Sequence, residues 1–201
     1  MIEEFKDSFI TIYTGKVVKL HEGYIPTISE HCTILNNINR WGGNINDWSV
    51  LHHSLLTASI AMFAIENDIL DGFKEITDIQ KKDFVKIAAI HDFSEILFGD
   101  IPTKYKPQII KDAEHIYLNR IIDNFGIKVF NNWKRELDAI DHLSAIIETK
   151  VVLPSTFRNI YDTNEEDEEM YNSLIETVSL IKGLSLVEKI NSIEYIINGK
   201  V

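Results

Sequence analysis

The 201-residue chain is 45% hydrophobic and 25% charged, an ordinary globular balance with length enough for a single domain over 1–201 that buries its own core. A net charge of −11 and a pI near 5.0 argue against a nucleic-acid polymer or an acidic membrane surface as partner, because both are bound through an excess of Lys and Arg. One cysteine, Cys32, excludes an internal disulfide and CxxC-type zinc sites; with no charged-then-apolar leader and no apolar run approaching a membrane span, a soluble cytoplasmic protein is expected.

In chain order, residues 9–20 are rich in β-branched and aromatic side chains on both sides of Thr14-Gly15-Lys16, which predicts a short hairpin turning at Gly15 and the only sheet of an otherwise all-α bundle. Thr27-Ile28-Ser29-Glu30 reads as a capping box opening a helix to about Asn39, stopped by Arg40-Trp41-Gly42-Gly43-Asn44. A second helix is expected from about Asp47 to Ile65, with His53 on its apolar face and His52 pointing elsewhere. Thr77 and Gln80 offer another capping box. Further helices are expected over 107–125, with a structural role, over 133–152, from the acidic start Thr163–Met170, and from the cap Ser185 to about Asn198.

The stretch from Ile87 to Tyr105 is the most unusual, placing His91, Asp92, Glu95 and Asp100 in otherwise apolar sequence. Apolar residues at 84, 87, 88, 90, 93 and 96–98 predict a largely buried helix, where an imidazole and carboxylates are costly unless paired or bound to metal. His91 and Glu95 would share a face of that helix, and Gly99 and Pro102 would end it and present Asp100 on a loop. On the 133–152 helix Asp141 lies beside the apolar side formed by Leu137, Ile140, Ser144 and Ile147, while Asp138, His142 and Glu148 read as solvated. Three helices thus each supply polar residues in the order H…HD…D: His53, then His91 and Asp92, then Asp141. This mixed N/O set suits a divalent ion such as Mn²⁺, Co²⁺, Zn²⁺, Fe²⁺ or Mg²⁺.

The segments Trp48-Ser49-Val50-Leu51-His52-His53-Ser54 and Ala89-Ile90-His91-Asp92-Phe93-Ser94-Glu95, with Gly99-Asp100-Ile101-Pro102 after them, resemble those of the HD-domain phosphohydrolase superfamily. Over about Ile12 to Lys150 the chain is similar to small bacterial and phage members that are 5′-deoxynucleotidases or deoxynucleoside triphosphate triphosphohydrolases. The resemblance implies an HD-domain helical bundle and a homo-oligomer, commonly a dimer. It implies His53, His91, Asp92 and Asp141 as metal ligands, with Glu95 and Asp100 handling water and its proton. Arg40, Lys104 and Lys106 would meet phosphate oxygens, and Trp41 would either stack on a base or pack.

Two positions depart from the family pattern. His52 stands where Glu or Gln is usual before the first ligand, and Asp138 stands where a basic residue often lies three positions before the last. The hairpin and the Arg-Trp-Gly-Gly stretch favour a dATP-type triphosphohydrolase releasing tripolyphosphate, whereas Asp138 favours the alternative, a 5′-deoxynucleotidase releasing phosphate. A non-catalytic nucleotide-binding module is a more remote alternative, since neither the ligands nor Glu95 are lost.

Overall fold

A computed structural model describes residues 9–10, 15–41, 47–69, 76–130, 133–152 and 168–199, with backbone only for 9–10 and 168–173. Two short strands, β1 (Phe9–Ile10) and β2 (Val17–Val18), pair antiparallel, Phe9 opposite Val18 and Ile10 opposite Val17. Gly15 carries a positive φ of 65°, a conformation glycine adopts without Cβ strain, as its place before β2 predicts. The rest is helical: α1 (Ile28–Leu35), α2 (Val50–Glu66), α3 (Asp78–Ile90), a 3₁₀ turn (Phe93–Ile96), α4 (Gln108–Asn124), α5 (Trp133–Val151), α6 (Glu168–Gly183) and α7 (Leu186–Ile197). Of the predicted acidic start Thr163–Met170, residues 163–167 lie outside the described set, as do Thr14, Gly42, Gly43 and Asn44.

Helix α2 is apolar on nearly every side, and a helix with no polar face must be buried in the middle of a bundle. It packs against α3, α5, α6 and α7, with Leu51, Leu56, Ile60 and Ala61 inaccessible to solvent. Its start is defined by a capping box in which Ser49 accepts from the His52 backbone N–H, while the His52 imidazole accepts from the Ser49 N–H at 2.9 Å. An imidazole therefore does what Glu or Gln does in the usual capping box, and it stacks on Trp48 at a ring separation of 4.9 Å. Burial pushes the His52 imidazole down to about 4, with Lys189 and Lys182 acting the same way, so it accepts as a neutral ring. The expected capping boxes at Thr27, Thr77 and Ser185 all form.

Two expected boundaries move. Helix α1 stops at Leu35 rather than near Asn39, because the chain then turns into an antiparallel bridge between Asn39 and Ser49, with Val50 N–H donating to Ile38 at 2.9 Å and Arg40 N–H to Trp48 at 2.9 Å. That clip lays Arg40 against His53 in the first turn of α2. The predicted buried helix through Phe98 instead breaks at Ile90: the His91 imidazole bonds the Ala88 carbonyl at 2.8 Å, competing for a helix acceptor, and Asp92 takes φ −95°, ψ 8°. His91 and Glu95 consequently do not share a helical face; Glu95 rides on the 3₁₀ turn.

That turn is seated on α1 and α4. His31 stacks on Phe93 at 4.8 Å, bonds the Thr27 carbonyl at 3.0 Å and lies 3.5 Å from the Tyr117 hydroxyl. Burial pushes His31 down to about 4, leaving a neutral imidazole in the core. No described helix is long and apolar enough to cross a membrane. Because Ser49 caps the central helix, Ser49→Ala should destabilise the protein by about 1 kcal/mol, read as a lower urea midpoint at unchanged slope.

Candidate active site

The histidine of α2 meets α3 and α5 at the point where each contributes a polar side chain. His53, fully buried, turns Nδ1 to Glu148 at 2.6 Å and Nε2 to Asp141 at 2.9 Å, so one imidazole lies between two carboxylates of α5. His91 uses Nδ1 on the Ala88 carbonyl, and its Nε2 sits 3.2 Å from that of His53. Asp92 Oδ2 lies 3.5 Å and 3.3 Å from these two Nε2 atoms. Thr57 and Ser144 fill the remaining space around His53, with the Ser144 hydroxyl 3.1 Å from Nδ1.

The second bond of each ring decides what the first nitrogen can do. A carbonyl or carboxylate at Nδ1 accepts its proton and leaves Nε2 with a lone pair. Both Nε2 atoms therefore face each other and two aspartates as a nest of Lewis bases, an arrangement that only a shared proton or a cation satisfies. Ligand atoms of His53, His91 and Asp141 all lie within 4.8 Å of one another, and this N/O donor set fits a divalent metal ion. Without metal the same demand shows up in protonation. Burial, the largest influence, and Arg40 both oppose a charge on His53, yet Glu148 and Asp141 raise it to about 10. Burial works to raise Asp141, but hydrogen bonds from His53 and His91 hold its carboxyl well below the usual range.

Arg40 closes one side. Its Nη1 is 3.4 Å from Asp92 and 3.3 Å from Asp100, Nη2 is 3.2 Å from His53 Nε2, and Nε is 3.8 Å from Glu148. Burial disfavours its charge, but Glu148, Asp92 and Asp100 raise its pKa further. On the other side Lys106 sits between Glu114 of α4 at 2.8 Å and Glu95 at 3.5 Å. Glu95 is buried, its Oε2 makes no hydrogen bond among the described residues, and its carboxyl is raised well above the usual range, first by burial and then by Asp92. A carboxyl poised to hold a proton beside a metal-binding nest has the properties of a general acid–base.

The profile of the family described as 5′-deoxynucleotidase YfbR-like matches residues 28–178. The chain belongs to this family. A 5′-deoxynucleotidase of Enterobacter sp. (strain 638) is 32% identical over 103 residues, covering 46% of this chain and 49% of the relative, so the chain matches about half the length of that protein. The HD-domain resemblance is thereby shown, and every residue of the site just described lies inside the matched segment, whereas the N-terminal hairpin lies outside it.

Of the residues expected from the sequence, the structure brings His53, His91, Asp92, Asp141, Glu95, Asp100, Arg40 and Lys106 into one cluster and leaves Lys104 outside it. That side chain is exposed and lies over the Tyr105 ring at 5.7 Å. Trp41 is present, its indole donating to Glu148 at 3.2 Å. His52, the departure from the family pattern before His53, turns Nδ1 to the Ser49 N–H within the capping box of α2. Glu148, expected to be solvated, is inaccessible and binds four neighbours; its sequence signal was its position seven residues, two helical turns, after Asp141. Glu114 was missed as well, on a helix read as purely structural.

The raised Glu95 carboxyl has a stability consequence. Above the unfolded value of about 4.5 the unfolded chain releases this proton while the folded protein resists, so wild type loses stability as pH rises. Glu95→Gln should therefore raise the melting temperature of metal-free protein, by more at pH 8 than at pH 5; an equal effect at both values would contradict the burial argument.

Proposed function

We propose that the protein is a divalent-metal-dependent 5′-deoxynucleotidase, converting a deoxynucleoside monophosphate and water to deoxynucleoside and orthophosphate. The observation that carries this reading is the convergence of the Nε2 atoms of His53 and His91, 3.2 Å apart, on Asp92 and Asp141, with a proton-holding Glu95 whose carboxyl feels Asp92. His53, His91, Asp92 and Asp141 would hold the ion, which when bound supplies Lewis acidity toward a phosphoryl oxygen and acidifies water. Glu95 accepts the proton of the attacking water and returns it to the leaving 5′-oxygen. Arg40 presents its guanidinium to the phosphate, oriented by Asp100, and Lys106 adds a second cation from the Glu95 side.

Charge favours the monophosphate over the triphosphate. The ion pairs at the site join Asp92, Asp100 and Glu148 to Arg40, and Glu95 and Glu114 to Lys106, while Asp141 is held by the imidazoles of His53 and His91, so among the described residues carboxylates outnumber the Lys and Arg side chains they meet. Asp138, one turn before Asp141, adds an exposed carboxyl whose pKa burial and Asp141 both raise. A polyphosphate tail would add negative charge where Lys104, turned away, offers no compensation. The comparisons point the same way, since the family and the relative are both described as 5′-deoxynucleotidases. The triphosphohydrolase reading rested partly on the hairpin, and it yields to the alternative.

Purified protein with Mn²⁺ or Co²⁺, incubated separately with the four deoxynucleoside monophosphates and triphosphates, should release orthophosphate from monophosphates only; tripolyphosphate among the products would overturn the proposal. Asp92→Ala and Asp141→Ala should each lose metal and turnover while staying folded. Glu95→Ala should retain metal and lose turnover by about 10²-fold or more, whereas Lys104→Ala should behave as wild type.

A further inference from the structure

One carboxylate touches both halves of the site. Glu148 Oε1 accepts from His53 Nδ1 at 2.6 Å and from Trp48 Nε1 at 2.8 Å, while Oε2 accepts from Trp41 Nε1 at 3.2 Å and faces Arg40 Nε at 3.8 Å. Its side chain is inaccessible to solvent. Trp41 has a φ of 62°, a left-handed backbone that is uncommon for a bulky residue and persists only where surrounding contacts hold it. Its indole bond to Glu148 is such a contact, and the preceding residue, Arg40, is clipped to Trp48 by its backbone N–H.

We propose that Glu148 is a positioning residue that couples the metal centre to the Arg40-Trp41 segment: the same carboxylate keeps His53 in its ligating tautomer and holds Trp41 in place. This rests on the metal-centre reading given above. The coupling follows from donor and acceptor counting. A carboxylate offers acceptors on both oxygens, so it takes the imidazole proton and the Trp41 indole proton at once. An amide of the same shape offers one acceptor and one donor. If its NH₂ takes the place of Oε1, it opposes the Trp48 indole donor, Nδ1 of His53 must accept, the ring proton moves to Nε2, and the ligating lone pair is lost. If its NH₂ faces Trp41, two donors oppose each other and the indole is released. Metal affinity and the seating of Trp41 thus depend on one group, and loosening either should be felt by the other.

The test is calorimetric titration of Co²⁺ alone into wild type, Glu148→Gln, Trp41→Phe and the double variant, with circular dichroism melts to establish folding. Glu148→Gln should weaken Co²⁺ binding by about 10- to 100-fold. Trp41→Phe should weaken it by less, about threefold, although Trp41 is not placed among the metal ligands. The double variant should lose little more than Glu148→Gln, because Trp41 acts through Glu148. Wild-type affinity in Glu148→Gln, or losses that simply multiply in the double variant, would overturn the coupling. Should Glu148→Gln fail to fold, Trp41→Phe decides alone, and unchanged affinity there counts against the proposal. No nucleotide is present, so the result does not depend on substrate identity. A wild-type protein that bound no Co²⁺ would instead overturn the metal-centre reading itself.

Discussion

An imidazole held between two carboxylates of one helix is the constraint on which the site depends. Asp141 and Glu148 are two turns apart on α5, and between them they take both nitrogens of His53, with Ser144 on the same face one turn from each. Such a group is expensive to bury unless every partner is in place. That demand explains why α2 lies at the centre of the bundle, why α5 must be in register with it, and why small hydroxyls at Thr57 and Ser144 occupy positions where a larger side chain would push the helices apart.

The 3₁₀ turn supplies what a continuous helix could not. Had α3 run on through Phe98, Glu95 would have stacked one turn beyond His91 on the same face. Breaking at Ile90 lets Asp92 swing toward both imidazoles and lets Glu95 face Lys106 from a separate segment, itself seated on His31 by way of Phe93. The geometry of the candidate site is made by ending a helix early, and the residue that ends it, His91, also lends the site its Nε2.

Much of this was legible in the sequence, for a definite reason. His53, His91 and Asp92 interrupt apolar runs, where a polar residue stands out against helical periodicity, and the capping boxes have fixed spacing. Glu148 reads as solvated because it is an acidic residue near the end of a charged helix; its spacing from Asp141 is a weak signal, and its packing against two indoles and an imidazole makes its role plain. Lys104 lies outside the cluster, a placement spacing does not reveal because side-chain direction in a loop is not set by it. The break at Ile90 was invisible because apolar spacing barely distinguishes an α-helix from a short 3₁₀ continuation. The choice between monophosphate and triphosphate was beyond motif reading, since it turns on how many cations face the same point.

The neutral cap at the head of α2 bears on that charge balance. Position 52 usually carries Glu or Gln, and a glutamate would serve the helix dipole well. It would also place a carboxylate against Trp48, the indole that donates to Glu148. His52, uncharged at neutral pH, satisfies the same backbone donor without deepening the negative potential behind the metal-binding nest. The departure from the family pattern thus makes the local field less repulsive to an incoming anion, and makes the start of the central helix indifferent to pH throughout the range above the titration of that ring.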